Sequence, residues 1–273
     1  MYGLPEQEVE IPEEYRGKGW GWFSGGKDSL LACLEMESEG RLLGVLFIDT
    51  TIGTKTTRDY VKDFCKKRGW PLEVIRAKGT YDEFVLKYGF PHAGWHTKIM
   101  LELKAHAIND WAMDYRKQRG VYRTRSKDRP LCFSGIRKLE SDTRFDTGEL
   151  FTEKYGCYVY SPLFWVSTSE RDRMLSEKYG LTKEDFNPDY DTYGRSWDCA
   201  CGAYAEKEEV SLLKMFAPEI AEHLQWLEEQ CRLKGLPEKY CHWGNHEGFI
   251  EKVKNRRTLN QIFCRTPCGI PRS

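Results

Sequence analysis

The sequence predicts an α/β fold in which a parallel sheet carries helices on both faces, followed by a smaller helical, cysteine-rich C-terminal region. Three observations carry this prediction. Strand-like and helix-like segments alternate through the first part of the chain. Leu42-Leu43-Gly44-Val45-Leu46-Phe47-Ile48 is an uninterrupted apolar run, the pattern of a strand covered on both faces. The apolar Trp20-Gly21-Trp22-Phe23 passes through Ser24-Gly25-Gly26-Lys27-Asp28-Ser29 into the helix-like Leu30-Leu31-Ala32-Cys33-Leu34-Glu35, so a strand, a glycine turn and a helix start follow in order.

In chain order, residues 1–18 are Glu- and Pro-rich and read as a surface extension. Residues 20–23 read as the first strand and 27–39 as the first helix. The run 42–48 is the second strand, closed by Asp49. Residues 56–69 read as a helix stopped by Gly69. Residues 72–75 form a third strand, 81–87 and 97–116 two helices, 131–134 a fourth strand and 158–160 a short fifth. After Pro162 the character changes. Residues 168–179 read as a helix, 187–197 as a turn-rich aromatic loop, and 207–216 and 220–234 as helices. The tail from Pro237 is rich in Cys, Gly and Arg. The expected division is therefore an extension (1–18), an α/β unit (19–165) and a helical region with the cysteine cluster (166–273). No internal repeat interrupts this order.

Bulk properties exclude several classes. The 273 residues are 40% hydrophobic and 31% charged, an ordinary globular composition. Net charge is +0, so polyanion binding requires a local patch. No apolar run approaches membrane-spanning length. The first residues, Met1-Tyr2-Gly3-Leu4-Pro5-Glu6, lack the basic and apolar regions of a secretory signal, and the expected location is cytoplasmic.

The glycine turn is the strongest chemical signal. Gly25 and Gly26 let the backbone approach a ligand closely. The unpaired N–H groups and positive dipole end of the following helix then face an anion. Ser24 and Ser29 add hydroxyls, Lys27 a mobile charge, and Asp28 a carboxylate. The kinase and GTPase phosphate loop is excluded, because here the glycines are adjacent and Asp28 separates Lys27 from Ser29. In a parallel sheet ligands bind beyond the carboxyl ends of the strands. That rule groups residues 24–29, Asp49-Thr50-Thr51 and the segment after Phe133. The last of these reads Ser134-Gly135-Ile136-Arg137-Lys138-Leu139-Glu140-Ser141, in which Gly135 permits a tight turn and Arg137 offers a bidentate fork for phosphate or sulfate.

Together, Ser-Gly-Gly-Lys-Asp-Ser at 24–29 and Gly-x-Arg-x-x-Glu-Ser at 135–141 resemble the phosphoadenosine phosphosulfate (PAPS) reductase family, within the larger group of PP-loop ATP pyrophosphatases. Phe47-Ile48-Asp49-Thr50, Ser161-Pro162-Leu163 and Asn187-Pro188 with Tyr190 add to the likeness, which covers roughly residues 20–205. The resemblance implies a Rossmann-like, HUP-type sheet and an adenine nucleotide, ATP or PAPS. Ser24, Gly25, Gly26, Lys27, Asp28 and Ser29 would hold its phosphates, with Gly135 at the facing turn. The backbone around Phe47–Asp49 would face adenine, Arg137 would meet a phosphate or the sulfuryl group, and Lys98 falls where relatives carry a basic residue. Lys27, Arg137 and Cys268 are the implied catalytic residues. Relatives place a nucleophilic cysteine in a Glu-Cys-Gly-Leu/Ile-His tail, whereas this tail reads Phe263-Cys264-Arg265-Thr266-Pro267-Cys268-Gly269-Ile270.

Ten cysteines are many for a reducing compartment and point to metal or catalysis rather than disulfides. Cys33, Cys65, Cys132 and Cys157 fall in predicted elements and read as core. Cys199, Cys201, Cys241, Cys264 and Cys268 crowd the last third. The pairs Cys199/Cys201 and Cys264/Cys268 are candidate ligands for Zn²⁺ or an Fe–S cluster, and Cys264 or Cys268 is alternatively a reactive thiol. Residues 116–129 hold seven Lys or Arg around Tyr122, a pattern suited to a nucleic-acid backbone.

Two chemistries fit these residues. A thiolate attacks the sulfuryl sulfur of a sulfonucleotide, releasing sulfite and adenosine phosphate; or ATP with Mg²⁺ adenylates a substrate for sulfur transfer, as in nucleic-acid thiolation. Either calls for a sulfur or electron donor protein. A non-catalytic nucleotide- or metal-binding regulator is the third reading.

Overall fold

A computed structural model describes residues 10–121, 128–140, 146, 148–205 and 207–244. The α/β expectation holds. Strands β1 (Gly19–Trp22), β2 (Leu42–Ile48), β3 (Leu72–Ile75), β4 (Leu131–Phe133), β5 (Phe151–Lys154) and β6 (Cys157–Tyr160) form one sheet in the order β3-β2-β1-β4-β6-β5. All pairings are parallel except β5 with β6. The chain fills the sheet outward from β1 in one direction and then restarts at β4 on its other side. The switch in strand order therefore lies between β1 and β4, the place where sheets of this kind bind ligands in a crevice beyond the strand ends.

The unbroken apolar run of β2 is explained by burial on both faces. Val45 and Phe47 point to one side, against helices α1 (Lys27–Ser38) and α2 (Lys55–Arg68) through Leu31, Leu34, Val61 and Phe64. Leu46 and Ile48 point to the other, where Ile108, Trp111 and Ala112 of helix α5 (His106–Gln118) complete a second cluster with Cys132 and Val159. Helix α2 starts at the Thr54 cap, whose hydroxyl accepts the Thr57 N–H, and stops at Gly69 with φ 70°. Helix α3 (Tyr81–Tyr88) starts on a Thr80/Glu83 capping box.

Three differences from the sequence expectation have local causes. The long helix after α3 is one path in three parts: α4 (His96–Met100), a π-helical turn (Leu101–Ala105) and α5. It runs on to Gln118, so Arg116–Gln118 is helix rather than loop. Strand β5 carries no apolar run, being an edge strand with Glu153 and Lys154; it is set by a tight turn in which Tyr155 (φ 52°) and Gly156 (φ 73°) are both left-handed. The aromatic loop contains a short helix, α7 (Asp189–Tyr193). Before it, α6 (Thr168–Arg173) passes into a π-helical turn, Met174–Lys178.

Helices α8 (Lys207–Phe216) and α9 (Pro218–Leu233) share an apolar cluster with Ile52, Tyr81, Phe84, Trp197 and Trp243. Pro218 occupies the first turn of α9, where its missing N–H costs nothing, and the helix starts there. Cys33, Cys65, Cys132 and Cys157 are buried as expected, and Cys231 joins them. Cys241 is also buried, its thiol donating to the carbonyls of Leu236 and Pro237. It belongs to this core rather than to an open reactive cluster. Among the described residues no helix is long and apolar enough to cross a membrane.

Leu31 lies fully buried between α1 and the sheet. Leu31→Ala is expected to cost about 2–5 kcal/mol of unfolding free energy, read as a lower denaturant midpoint.

Candidate functional site

Residues 24–29 leave β1 at the crevice and fold tightly on themselves. The Ser29 hydroxyl lies 2.9 Å from the Gly26 carbonyl, to which it donates, 3.2 Å from the Ser24 N–H and 3.1 Å from the Ser24 hydroxyl. Gly25 takes φ 80°, a left-handed conformation that favours glycine. Gly26 caps α1 with no side-chain acceptor, so the N–H groups of the first turn are not taken up by a cap side chain of their own helix. The Lys27 N–H donates to the Tyr190 hydroxyl at 3.0 Å, and the Lys27 ammonium sits 4.6 Å from the Phe186 ring centre.

The turn after β4 presses onto this loop. A Cβ at Gly135 would stand 2.5 Å from the Ser29 nitrogen and 2.6 Å from the Asp28 carbonyl carbon, so no larger residue fits without moving backbone. Arg137 differs most from its expected place. Its guanidinium is fully buried, donates to Asp28 at 2.7 Å, and reaches the Val166 carbonyl and Thr168 hydroxyl. Arg171 joins the same carboxylate at 3.0 Å. Asp28 thus ties the helix start, the β4 turn and α6 together, and Arg137 acts on the loop through it. Of Glu140 only its place in a short 3-10 turn, Lys138–Glu140, is described. Ser141 lies outside the described residues.

The segment that follows Phe186 closes over the same edge. The Asn187 amide donates to the Gly25 carbonyl at 3.4 Å and to the Thr57 hydroxyl at 2.8 Å. That hydroxyl donates to Asp189 and also accepts the Trp197 N–H at 3.1 Å. Thr54 donates to the same carboxylate. Burial pushes the Asp189 carboxyl up, and the two threonine bonds offset it in part. Sequence reading placed Asn187 and Tyr190 only as family markers and missed Thr57 and Asp189; nothing in their spacing marks them, because their partners are 130 or more residues away.

Asp49 ends β2 in a buried position. It accepts the Thr51 N–H at 2.9 Å and pairs with Arg76. Burial raises its pKa, but Arg76 and the amide outweigh this and hold the carboxyl below its ordinary range. Thr51 has φ 66°, an uncommon conformation for a β-branched residue. Beside it opens a cavity of about 430 Å³ lined by Arg58, Arg76, Thr80, Asp82 and His223.

Lys98 lies elsewhere, its ammonium 3.3 Å from the Tyr88 ring centre among Phe84 and Trp95. The basic residue of that helical path beside the closing segment is Lys104, which pairs with Asp198 at 2.5 Å. Asp198 precedes Cys199 and Cys201, both half-buried. The interaction between the two thiols pushes Cys201 down and Cys199 up, and the Lys104 charge favours the anion on each. Burial works against charge on Lys104, and Asp198 and the two sulfurs outweigh it and raise its pKa. Cys264 and Cys268 lie outside the described residues. No group of three ligating side chains occurs among the described residues.

The basic stretch is less open than its sequence suggests. Arg116 is buried, Lys117 pairs with Asp114, Arg119 covers Tyr115 and Arg129 pairs with Glu153. Tyr122, Arg123, Arg125 and Lys127 lie outside the described residues.

Residues 20–177 match the model of the phosphoadenosine phosphosulfate reductase domain, more than half of the chain. An uncharacterised protein of Methanocaldococcus jannaschii is 42% identical over 124 residues, which is 45% of this chain and 26% of that protein. The chain thus spans about a quarter of the length of this curated relative. A crystal structure of phosphoadenylyl-sulfate reductase from Candida auris, a phosphate complex, aligns with a TM-score of 0.42 at 18% identity, covering 67% of this chain and 79% of that one.

Asp28→Ala leaves the buried Arg137 guanidinium without its carboxylate. The expected cost is about 3–5 kcal/mol, measured by denaturant unfolding; an unchanged midpoint would show the clamp to be idle. Asp49 has a folded-state pKa below its unfolded value of about 3.9. Its contribution is therefore complete above that value and is lost as pH falls through the lower folded one. Asp49→Asn should flatten the acid limb of stability between about pH 5 and 1, measured by unfolding across that range.

Proposed function

The chain belongs to the phosphoadenosine phosphosulfate reductase domain family, and from that premise we propose that it binds an adenine sulfonucleotide and reduces its sulfuryl group to sulfite. The observation that carries this reading is the β1–α1 loop. It joins strand to helix beside the reversal of strand order, has no cap side chain at the helix start, and meets the Gly135 turn too closely for any Cβ.

In this reading the amides of the loop other than those of Ser24 and Lys27, which already donate to Ser29 and Tyr190, receive the phosphate and sulfate oxygens with the Ser24 and Ser29 hydroxyls. Lys27 swings from the Phe186 and Tyr190 rings to the developing charge on the leaving phosphate. Asp49 and the end of β2 border the adenine. Gly135 lets the β4 turn pack on the helix start, and Arg137 holds Asp28 in place rather than touching substrate. A thiolate of the chain attacks the sulfuryl sulfur, the sulfur–oxygen bond breaks, and adenosine phosphate leaves with the bonding electron pair. The bound sulfo group is then released as sulfite by a second thiol.

Lys27→Ala is expected to lower sulfite release from PAPS by about 10²–10³-fold, with the fold retained. Calorimetry should show weaker nucleotide binding in the same variant. Pyrophosphate released from ATP, with no sulfite from PAPS, would replace this reading by the adenylating one.

A further inference from the structure

Ser196 is half-buried, and its hydroxyl has no hydrogen-bond partner among the described residues. The backbone that carries it is nonetheless fixed on both sides. Gly194, with φ 69°, ends α7 and donates to the Tyr190 carbonyl at 3.0 Å. Arg195 pairs with Glu209 and lies 5.3 Å from the Trp197 ring centre. Trp197 is buried; its N–H donates to the Thr57 hydroxyl at 3.1 Å, and its carbonyl accepts the Thr54 N–H at 2.9 Å. The place of Ser196 is thus set by its neighbours, and its own hydroxyl takes no part in holding it there.

That hydroxyl lies against the β1–α1 loop. A Cβ at Gly26 would stand 3.3 Å from the Ser196 Oγ, 3.4 Å from the Tyr190 Oη and 3.5 Å from the Ser24 Oγ. Three hydroxyls, one from the loop, one from α7 and one from the segment after it, therefore line the side of Gly26 that a side chain would fill. Two of them are engaged: the Tyr190 oxygen accepts the Lys27 N–H at 3.0 Å, and the Ser24 hydroxyl lies 3.1 Å from that of Ser29. Ser196 gives up part of its hydration there and receives no bond in return. Nearby charge does not oppose an anion. The Asp28 carboxylate is turned to Arg137 and Arg171, and the Lys27 ammonium belongs to the next residue of the loop. A hydroxyl bonds an ionised oxygen more strongly than a neutral one.

We propose that Ser196 is a substrate-binding residue, its hydroxyl donating to an anionic oxygen of the phosphosulfate group held beside Gly26. This assignment rests on the sulfonucleotide reading above. It adds to the loop a donor from a distant part of the chain, held in register by Trp197 and the Thr57 hydroxyl. The same hydroxyl accepts from Asn187, which reaches the Gly25 carbonyl, so one buried oxygen aligns the loop and the added donor. The contact moves no proton and forms no covalent bond; it is a charge-assisted hydrogen bond that orients the ligand.

Ser196→Ala in the full chain removes the hydroxyl and leaves the backbone. Its denaturant midpoint without nucleotide is expected to equal that of the wild type, because the folded chain loses no hydrogen bond. Its Kd for PAPS, by calorimetry with no reductant added, is expected to rise about 10–100-fold, the range for a hydrogen bond to a charged group. Ser196→Asp sets a carboxylate against the ligand's charge and should bind PAPS more weakly still. An unchanged Kd in Ser196→Ala would overturn the assignment and leave the nucleotide reading standing. So would a wild-type Kd in Ser196→Asp, or a lowered midpoint alongside weaker binding in Ser196→Ala, which marks a structural role. Absence of PAPS binding by the folded wild-type chain overturns the nucleotide reading and this assignment together.

Discussion

The Thr57 hydroxyl is the junction on which the site depends. It donates to Asp189 and accepts from the Asn187 amide and the Trp197 backbone, which uses its one proton and both lone pairs. Three parts of the chain meet there: the start of α2, the short helix α7, and the segment leading to Cys199. Asn187 extends the junction to the Gly25 carbonyl in the phosphate loop. Thr57 is fully buried, so water cannot replace a lost partner, and each group left unmatched would carry its full desolvation cost. The junction therefore fixes the closing segment relative to the loop without touching either from the ligand side.

A second constraint works from the opposite side of the loop. Asp28 receives Arg137 from the β4 turn and Arg171 from α6. Such a pair is not in itself a source of large net stability, since removing both charges from water costs much of what their attraction returns. Its effect is geometric. Gly135 lies so near the backbone of Asp28 and Ser29 that the two turns either fit together or exclude one another. The carboxylate and two guanidiniums select the fitted arrangement. The β1–α1 loop is held between the threonine junction and this ion cluster.

Much of the architecture was legible in the residues alone. Strand periodicity, the apolar run of β2 and the stop at Gly69 are local properties, decided by side-chain direction and backbone freedom over a few residues. The strand–glycine turn–helix at residues 20–38 was legible for the same reason, because its neighbours are contiguous. β5 was not, since an edge strand with one covered face leaves little apolar signal. Arg137 was read from its chemistry as a phosphate ligand, but burial turned that chemistry inward to Asp28. Lys98 was read from the family resemblance; the fold sets its ammonium over the Tyr88 ring, while Lys104 pairs with Asp198. Sequence by itself determined the sheet, the loop and the identity of the groups at hand. Tertiary structure alone decided which charges are consumed by one another and which face the crevice, because that choice depends on partners more than a hundred residues apart and on how much water reaches them.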